Sequence, residues 1–170
     1  MEFLIADAGQ LSDYSGLSIQ ALCQHKGGLF VRGDHPLASK GRIAAADLKA
    51  FPLASPAVGG IDVNQMLHDS SGKPVQWQGH FVCEDIGALK TIAMESAAVL
   101  MLSDLALERE LQGGELLRIN PDDIEQNWSI TLAVAFLAGR RPSPAAVQVV
   151  QQIKHILLSF GTVSAASEVV

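Results

Sequence analysis

Two prolines and a glycine dictate the path of this chain between residues 28 and 56. An apolar run over 28–31 stops at Arg32-Gly33-Asp34-His35-Pro36-Leu37-Ala38. Pro36 has no N–H to give a sheet and Gly33 permits a tight turn, so the run reads as a buried strand ending in a turn. The alanine-rich stretch 43–50, which contains Ala46-Asp47-Leu48, then suits a short helix, and Pro52 restarts the chain as a second buried strand over 51–54. Strands and helices alternating at such short spacing imply an α/β fold with mostly parallel sheets built from right-handed crossovers.

The rest of the chain is consistent with that class. With 170 residues, 48% of them hydrophobic, it is long enough to bury a substantial core as one domain or two small lobes. The net charge of -6 comes without a lysine or arginine stripe, Arg140-Arg141 being the one basic pair. Counterion release at phosphates needs clustered cations, so no direct nucleic-acid binding is expected. Cys23 and Cys83 lie far apart in apolar contexts and read as buried free thiols. The opening Met1-Glu2-Phe3-Leu4-Ile5 lacks the charged region and cleavage site of a secretory signal. The longest apolar run, 97–102, is far too short to cross a bilayer. These features predict a cytoplasmic protein with no membrane partner.

Residues 3–6 read as a buried strand. Residues 17–31 read as two strands broken at Lys26-Gly27-Gly28, and 61–68 as a helix opened by Gly59-Gly60. Over 75–83, Val75, Trp77, Gly79, Phe81 and Cys83 alternate with Gln76, Gln78, His80 and Val82, the period of a half-buried strand. Asp85 sits at an N-cap position before a helix running to about Met94. The run 97–102 is apolar throughout, as a strand covered on both faces requires. Ser103-Asp104 then caps a helix that ends at Gly113-Gly114, and 116–119 forms a closing strand. Last comes a helix with Ser143 as cap and Pro144 at its first position. Ala146, Val149, Val150, Ile153, Ile156, Leu157 and Phe160 form its apolar stripe, and Gly161 stops it. Residues 162–170 read as a frayed tail.

Taken together, the segments Phe3-Leu4-Ile5-Ala6-Asp7, Arg32 to Ala38, Phe51-Pro52-Leu53-Ala54-Ser55-Pro56, 88–114 and 128–160 resemble, in order and spacing, the effector-binding domain of LysR-type transcriptional regulators. The resemblance implies a two-lobed periplasmic-binding-protein-like fold of type 2 with an incomplete first lobe. Residues 1–53 would be the partial first lobe and crossover, 54–122 the second lobe, and 123–161 the return to the first lobe. The strand at 3–6 and the last helix would then share one hydrophobic layer. It also implies that the family's DNA-binding winged helix-turn-helix, linker helix and opening first-lobe elements would lie upstream of Phe3. The segments 61–68 and 75–82 correspond to elements that help form the family's dimer, so a homo-oligomer is expected. Trp77 and Phe81 would lie at that face or fill the core. Where the family commonly has glycines and a proline, this chain has Ser96, Ala98 and Ser103. Ser96 lacks glycine's ease at positive φ, so a strained or rearranged helix exit is expected there.

No nucleophile elbow, dinucleotide fingerprint or zinc-binding helix motif is present. The five histidines, His25, His35, His68, His80 and His155, are scattered and read as surface or turn residues. No metal site, cofactor or catalytic residue is expected. Binding is the better reading, because in open parallel sheets ligands lie beyond the carboxyl ends of strands, where helix N-termini offer free N–H groups. Two segments fit: Ser55, Pro56, Ala57 and Val58 before Gly59-Gly60, and Asp85, Ile86 and Gly87. An ordinary strand-to-helix turn accounts for the first equally well, and a capped helix with small packing residues accounts for the second. The resemblance implies that both line an effector cleft between lobes. The leading expectation is a small-molecule sensor module. A standalone solute-binding protein of the same architecture is the alternative, and a small α/β enzyme is a third reading.

Overall fold

In the computed structural model, which describes residues 2–57, 67–124, 128–159 and 163–164, β1 (Phe3–Asp7) turns through the short helix α1 (Ala8–Ser12) into β2 (Leu17–Arg32). Strand β2 runs its 16 residues without a break, which corrects the division at Lys26-Gly27-Gly28. Neither Gly27 nor Gly28 adopts a positive φ, and the strand continues because its partners change there. Lys26 pairs with Ser129, whereas Gly27 pairs with Ser103. At the same place the chain passes between two compact units, 1–26 with 129–170 and 27–128.

In the first unit β7 (Ser129–Leu137) lies between β1 and β2, antiparallel to both, so that Leu4, Ala135 and Ile19 form one cross-strand row. Helix α5 (Pro144–Ser159) covers one face. The Ser143 hydroxyl accepts the Ala146 N–H at 3.1 Å, as its cap position predicts. Phe3, Ile5, Leu22, Cys23 and Val134 share a hydrophobic cluster with Val150 and Leu157, so the first strand and the last helix do share a layer. The helix's inward stripe is narrower than its apolar pattern: Val149 and Ile156 are 47% and 52% exposed. A two-residue strand, β8 (Val163–Ser164), pairs with β2, whereas the expectation was a frayed tail. Phe160 and Gly161 lie outside the described residues.

The second unit contains α2 (Ala45–Leu48), β3 (Leu53–Ser55), β4 (His80–Val82), α3 (Ile86–Glu95), β5 (Val99–Ser103), a 3-10 turn (Asp104–Leu107), α4 (Glu108–Gly113) and β6 (Leu116–Ile119). Its strand order is β6-β2-β5-β3-β4, with β3 parallel to β4 and β5, and β2 antiparallel to β5 and β6. The expectation of mostly parallel sheets is therefore corrected: parallel pairs come only from the β3, β4 and β5 crossovers among the described residues. The segments that carry the chain out of the first unit and back into it, β2 and β7, run in opposite directions and pair antiparallel. Leu29, Val31, Leu53, Val99 and Met101 face one core layer, and Phe30, Ala54, Leu100 and Leu102 face the other, which is why β5 is apolar at every position but its last.

Several boundaries are tighter than predicted. Helix α2 is closed by the Phe51 N–H on the Leu48 carbonyl, and β3 begins only after Pro52. The alternating segment 75–82 joins the ladder only at His80. Before it, the Val75 and Gln78 N–H groups bond to the carbonyls of Leu67 and Phe51, outside any strand. Trp77 packs against the core, but Phe81, on the face predicted to be buried, is 48% exposed. Ser103 makes no side-chain cap. Gly114 closes α4 at φ 72°, a left-handed turn that favours glycine. The exit of α3 is unstrained: Ser96 is extended, its hydroxyl donating to the Ile92 carbonyl at 2.6 Å and accepting the Ala98 N–H at 3.1 Å.

The turn that opens the sequence argument is held by a side chain. His35 is a turn residue, as expected, but a buried one. Its Nδ1 accepts the Leu37 N–H at 3.0 Å. That bond fixes the proton on Nε2, which donates to the Ala97 carbonyl at 3.2 Å, while the ring tilts against Phe51. His25 is also buried, with Nε2 3.3 Å from the Cys23 sulfur. Cys23 and Cys83 are free thiols, the first buried and the second half-buried. Burial raises the Cys23 pKa, opposed by the Lys154 ammonium.

Candidate functional site

The carboxyl ends of the parallel strands β3, β4 and β5 share one edge of the second unit's sheet, and both predicted ligand segments are there. Beyond β3 and β4 the pairing continues by one bond, from the Cys83 N–H to the Ser55 carbonyl at 3.2 Å. This lays Pro56 and Ala57 beside the approach to α3. Val58 and the helix predicted over 61–68, except its last two residues, lie outside the described residues.

Asp85 caps α3 as predicted, its carboxylate accepting the Ala88 N–H at 3.1 Å. Gly87 makes room for it: a Cβ there would sit 3.1 Å from the same carboxylate oxygen. With Ala88 engaged, the N–H groups of Ile86 and Gly87 remain at the helix start, where intrahelical acceptors do not reach. The Asp85 carboxylate beside them offsets part of the helix dipole, so this edge suits neutral or weakly charged acceptor oxygens better than a dense anion.

Ser55 has a different place from the others. It is fully buried on the face opposite Ala54, its hydroxyl 2.8 Å from His80 Nε2 and 3.1 Å from the Pro56 carbonyl. The geometry makes Ser55 and His80 a bracket that holds the end of β3 in register with β4. Sequence reasoning missed His80, because only the parallel register that pairs His80 with Leu53 brings it to Ser55.

Among the described residues no three His, Cys, Asp or Glu side chains gather closely enough to hold a metal ion, and no helix is long and apolar enough to cross a membrane. A cleft of about 370 Å³ at the β6 flank, lined in part by Leu37, Lys40, Arg42, Ile43 and Asp122, contains none of the predicted residues. Its cations are already paired, Lys40 with Asp47 at 2.6 Å, Arg42 with Asp122 at 2.9 Å and Arg118 with Asp104.

The comparisons agree with this architecture. The regulatory domain of CrgA, a LysR-type transcriptional regulator from Neisseria meningitidis, matches with a TM-score of 0.72 at 17% identity, over 92% of this chain and 76% of that one. The regulatory domain of the LysR family regulator MetR from N. meningitidis matches with a TM-score of 0.65 at 16% identity, over 98% and 76%. The CcmR regulatory domain from Synechocystis, solved in complex with 2-PG, matches with a TM-score of 0.65 at 17% identity, over 94% and 74%. At these identities the likeness establishes the fold. No curated protein sequence matches the chain. The sequence itself is more specific, for residues 4–157 match the LysR substrate binding domain. With nine-tenths of its length matched and a fold shared with the regulatory domains of LysR-type regulators, the chain belongs to the LysR substrate binding domain family.

Proposed function

We propose that this chain is the ligand-sensing regulatory module of a LysR-type transcriptional regulator, and that it acts by binding a small molecule and not by catalysis. The ligand sits at the carboxyl edge of β3 and β4, against Pro56 and Ala57 and the start of α3 at Asp85, Ile86 and Gly87. Val58 belongs to the same proposed segment. Ser55, bracketed by His80, positions that segment. The observation that carries the reading is the juxtaposition of two helix-start N–H groups, without a partner among the described residues, with a proline-alanine loop at the end of a parallel pair, on a chain of this family. The ligand class is a small molecule presenting acceptor oxygens; the 2-PG in the CcmR domain establishes that one relative takes a small ligand. The module self-associates, works in the cytoplasm and leaves nucleic-acid contacts to other residues. The unit of residues 1–26 and 129–170 is the partial first lobe, and the unit of residues 27–128 is the second lobe.

A thermal-shift screen of sugars, amides and monocarboxylates, with dicarboxylates and phosphate esters as the dense-anion comparison, tests this. At least one compound is expected to raise the melting temperature. Ala57→Trp, which fills the loop's half-buried flank, is expected to weaken that compound about tenfold or more, roughly 1.4 kcal/mol, while the ligand-free melting curve stays in place. A hit that binds Ala57→Trp as well as the parent would place the ligand elsewhere. Sedimentation of the parent is expected to show a species heavier than 18.0 kDa at micromolar concentration. Monomer alone would remove the self-association.

A further inference from the structure

Two adjacent glycines in a strand that passes between compact units look like a flexible joint, but the atoms around Gly27 and Gly28 do the opposite. We propose that Arg118, Asp104 and Trp128 form a clamp that makes this diglycine a rigid section of β2.

Neither glycine has a positive φ, so backbone conformation does not explain them; the space they leave does. A Cβ on Gly27 would lie 2.0 Å from the Trp128 ring, and one on Gly28 would lie 2.8 Å from the Arg118 guanidinium carbon. The two side chains close in from opposite faces, since Trp128 packs with the Leu29 and Val31 layer while Arg118 lies 5.5 Å from the centre of the Phe30 ring. Both backbone groups of Gly27 are occupied. Its N–H donates to the Trp128 carbonyl at 3.1 Å, and its carbonyl accepts from Arg118 Nη2 at 2.6 Å. Arg118 Nη1 donates to the largely buried Asp104 carboxylate, which anchors the guanidinium from the turn directly after β5. Both glycines are buried. A flexible glycine joint needs open space and solvated backbone, and this one has neither. The diglycine is therefore a stiff section of β2, packed by Trp128 on one face and Arg118 on the other.

Amide hydrogen exchange on the intact chain tests the clamp. The Gly27 and Gly28 amides are expected to exchange as slowly as those of β3. Arg118→Met keeps the aliphatic cover over Phe30 and removes the donors. It is expected to accelerate Gly27 and Gly28 about tenfold while β3 and β5 are unchanged. Rapid exchange in the parent, no change in the variant, or one uniform acceleration across all strands of the unit would each overturn the proposal. Should Arg118→Met not fold, Asp104→Asn leaves Arg118 in place and is expected to produce the same local acceleration, smaller in size; parent-like rates would overturn the clamp. Gly28→Ala separates the two ideas directly. Alanine stiffens a true joint and slows its exchange, whereas here its methyl displaces Arg118 and exchange speeds up.

Discussion

Replacing His35 by alanine is expected to destabilise the chain by about 2–4 kcal/mol, the sum of a cavity and two stranded backbone groups. The imidazole ties the turn after β2 to the residues before β5, accepting from the Leu37 N–H and donating to the Ala97 carbonyl, with its ring against Phe51. Alanine leaves that N–H and that carbonyl buried without partners and removes the ring. Chemical denaturation measures the loss, and a change under about 0.5 kcal/mol would show that water replaces the imidazole at no cost. The same residue sets a pH dependence. Burial above all holds its pKa below the ordinary 6.5; Arg32 adds to that shift, and the Ala97 carbonyl and Asp34 oppose it. The unfolded chain therefore takes up the proton first. The contribution of His35 is complete above about pH 6.5 and is lost as pH falls from there toward the lower pKa of the folded state. The difference in stability between the parent and His35→Ala is expected to shrink on acidification through that window. A difference that grows would reverse the sign of the argument.

Lys90→Met is expected to cost about 2–3 kcal/mol, while the double change Lys90→Met with Glu110→Leu recovers most of it. Lys90 on α3 donates to both carboxylate oxygens of Glu110 on α4, at 2.8 and 2.9 Å, and the two side chains are only 21% and 15% exposed. Burial works to raise the Glu110 pKa. The hydrogen bond and charge of Lys90 outweigh it, so the carboxyl stays below its ordinary 4.5. Removing only the lysine leaves a carboxylate in a poorly solvated groove between two helices. Removing both leaves apolar side chains there, and the pair's net contribution is small because desolvation cancels much of its attraction. A double-mutant cycle by denaturation separates the two cases. If both single variants melt like the parent, solvent screens the pair.

What could be read without coordinates was local in origin. The caps Asp85 and Ser143, Pro144 at the first turn of α5 and Gly114 at the end of α4 each act within a few residues, and each stands where the pattern put it. The family resemblance likewise rests on the order of local segments, and residues 4–157 match it. The misreadings share a long-range cause. The diglycine of β2 read as a break because the sequence shows two residues without side chains and not the Trp128 and Arg118 that occupy their space. His80 read as a surface residue because its partner Ser55 lies 25 positions away on a neighbouring parallel strand.

The sequence alone determined the strands β1, β3, β5 and β6, the helices α3, α4 and α5, the caps of α3 and α5, and that β5 would be covered on both faces. These follow from backbone donors, dihedral limits and apolar period, which a chain carries with it in any surroundings. Tertiary structure alone decided that the strands leaving and re-entering the first unit run antiparallel, that His35 is buried and neutral, and that Gly27 and Gly28 hold β2 stiff. Each of those depends on which distant atom fills the adjacent space, and that is fixed only when the layers close on one another.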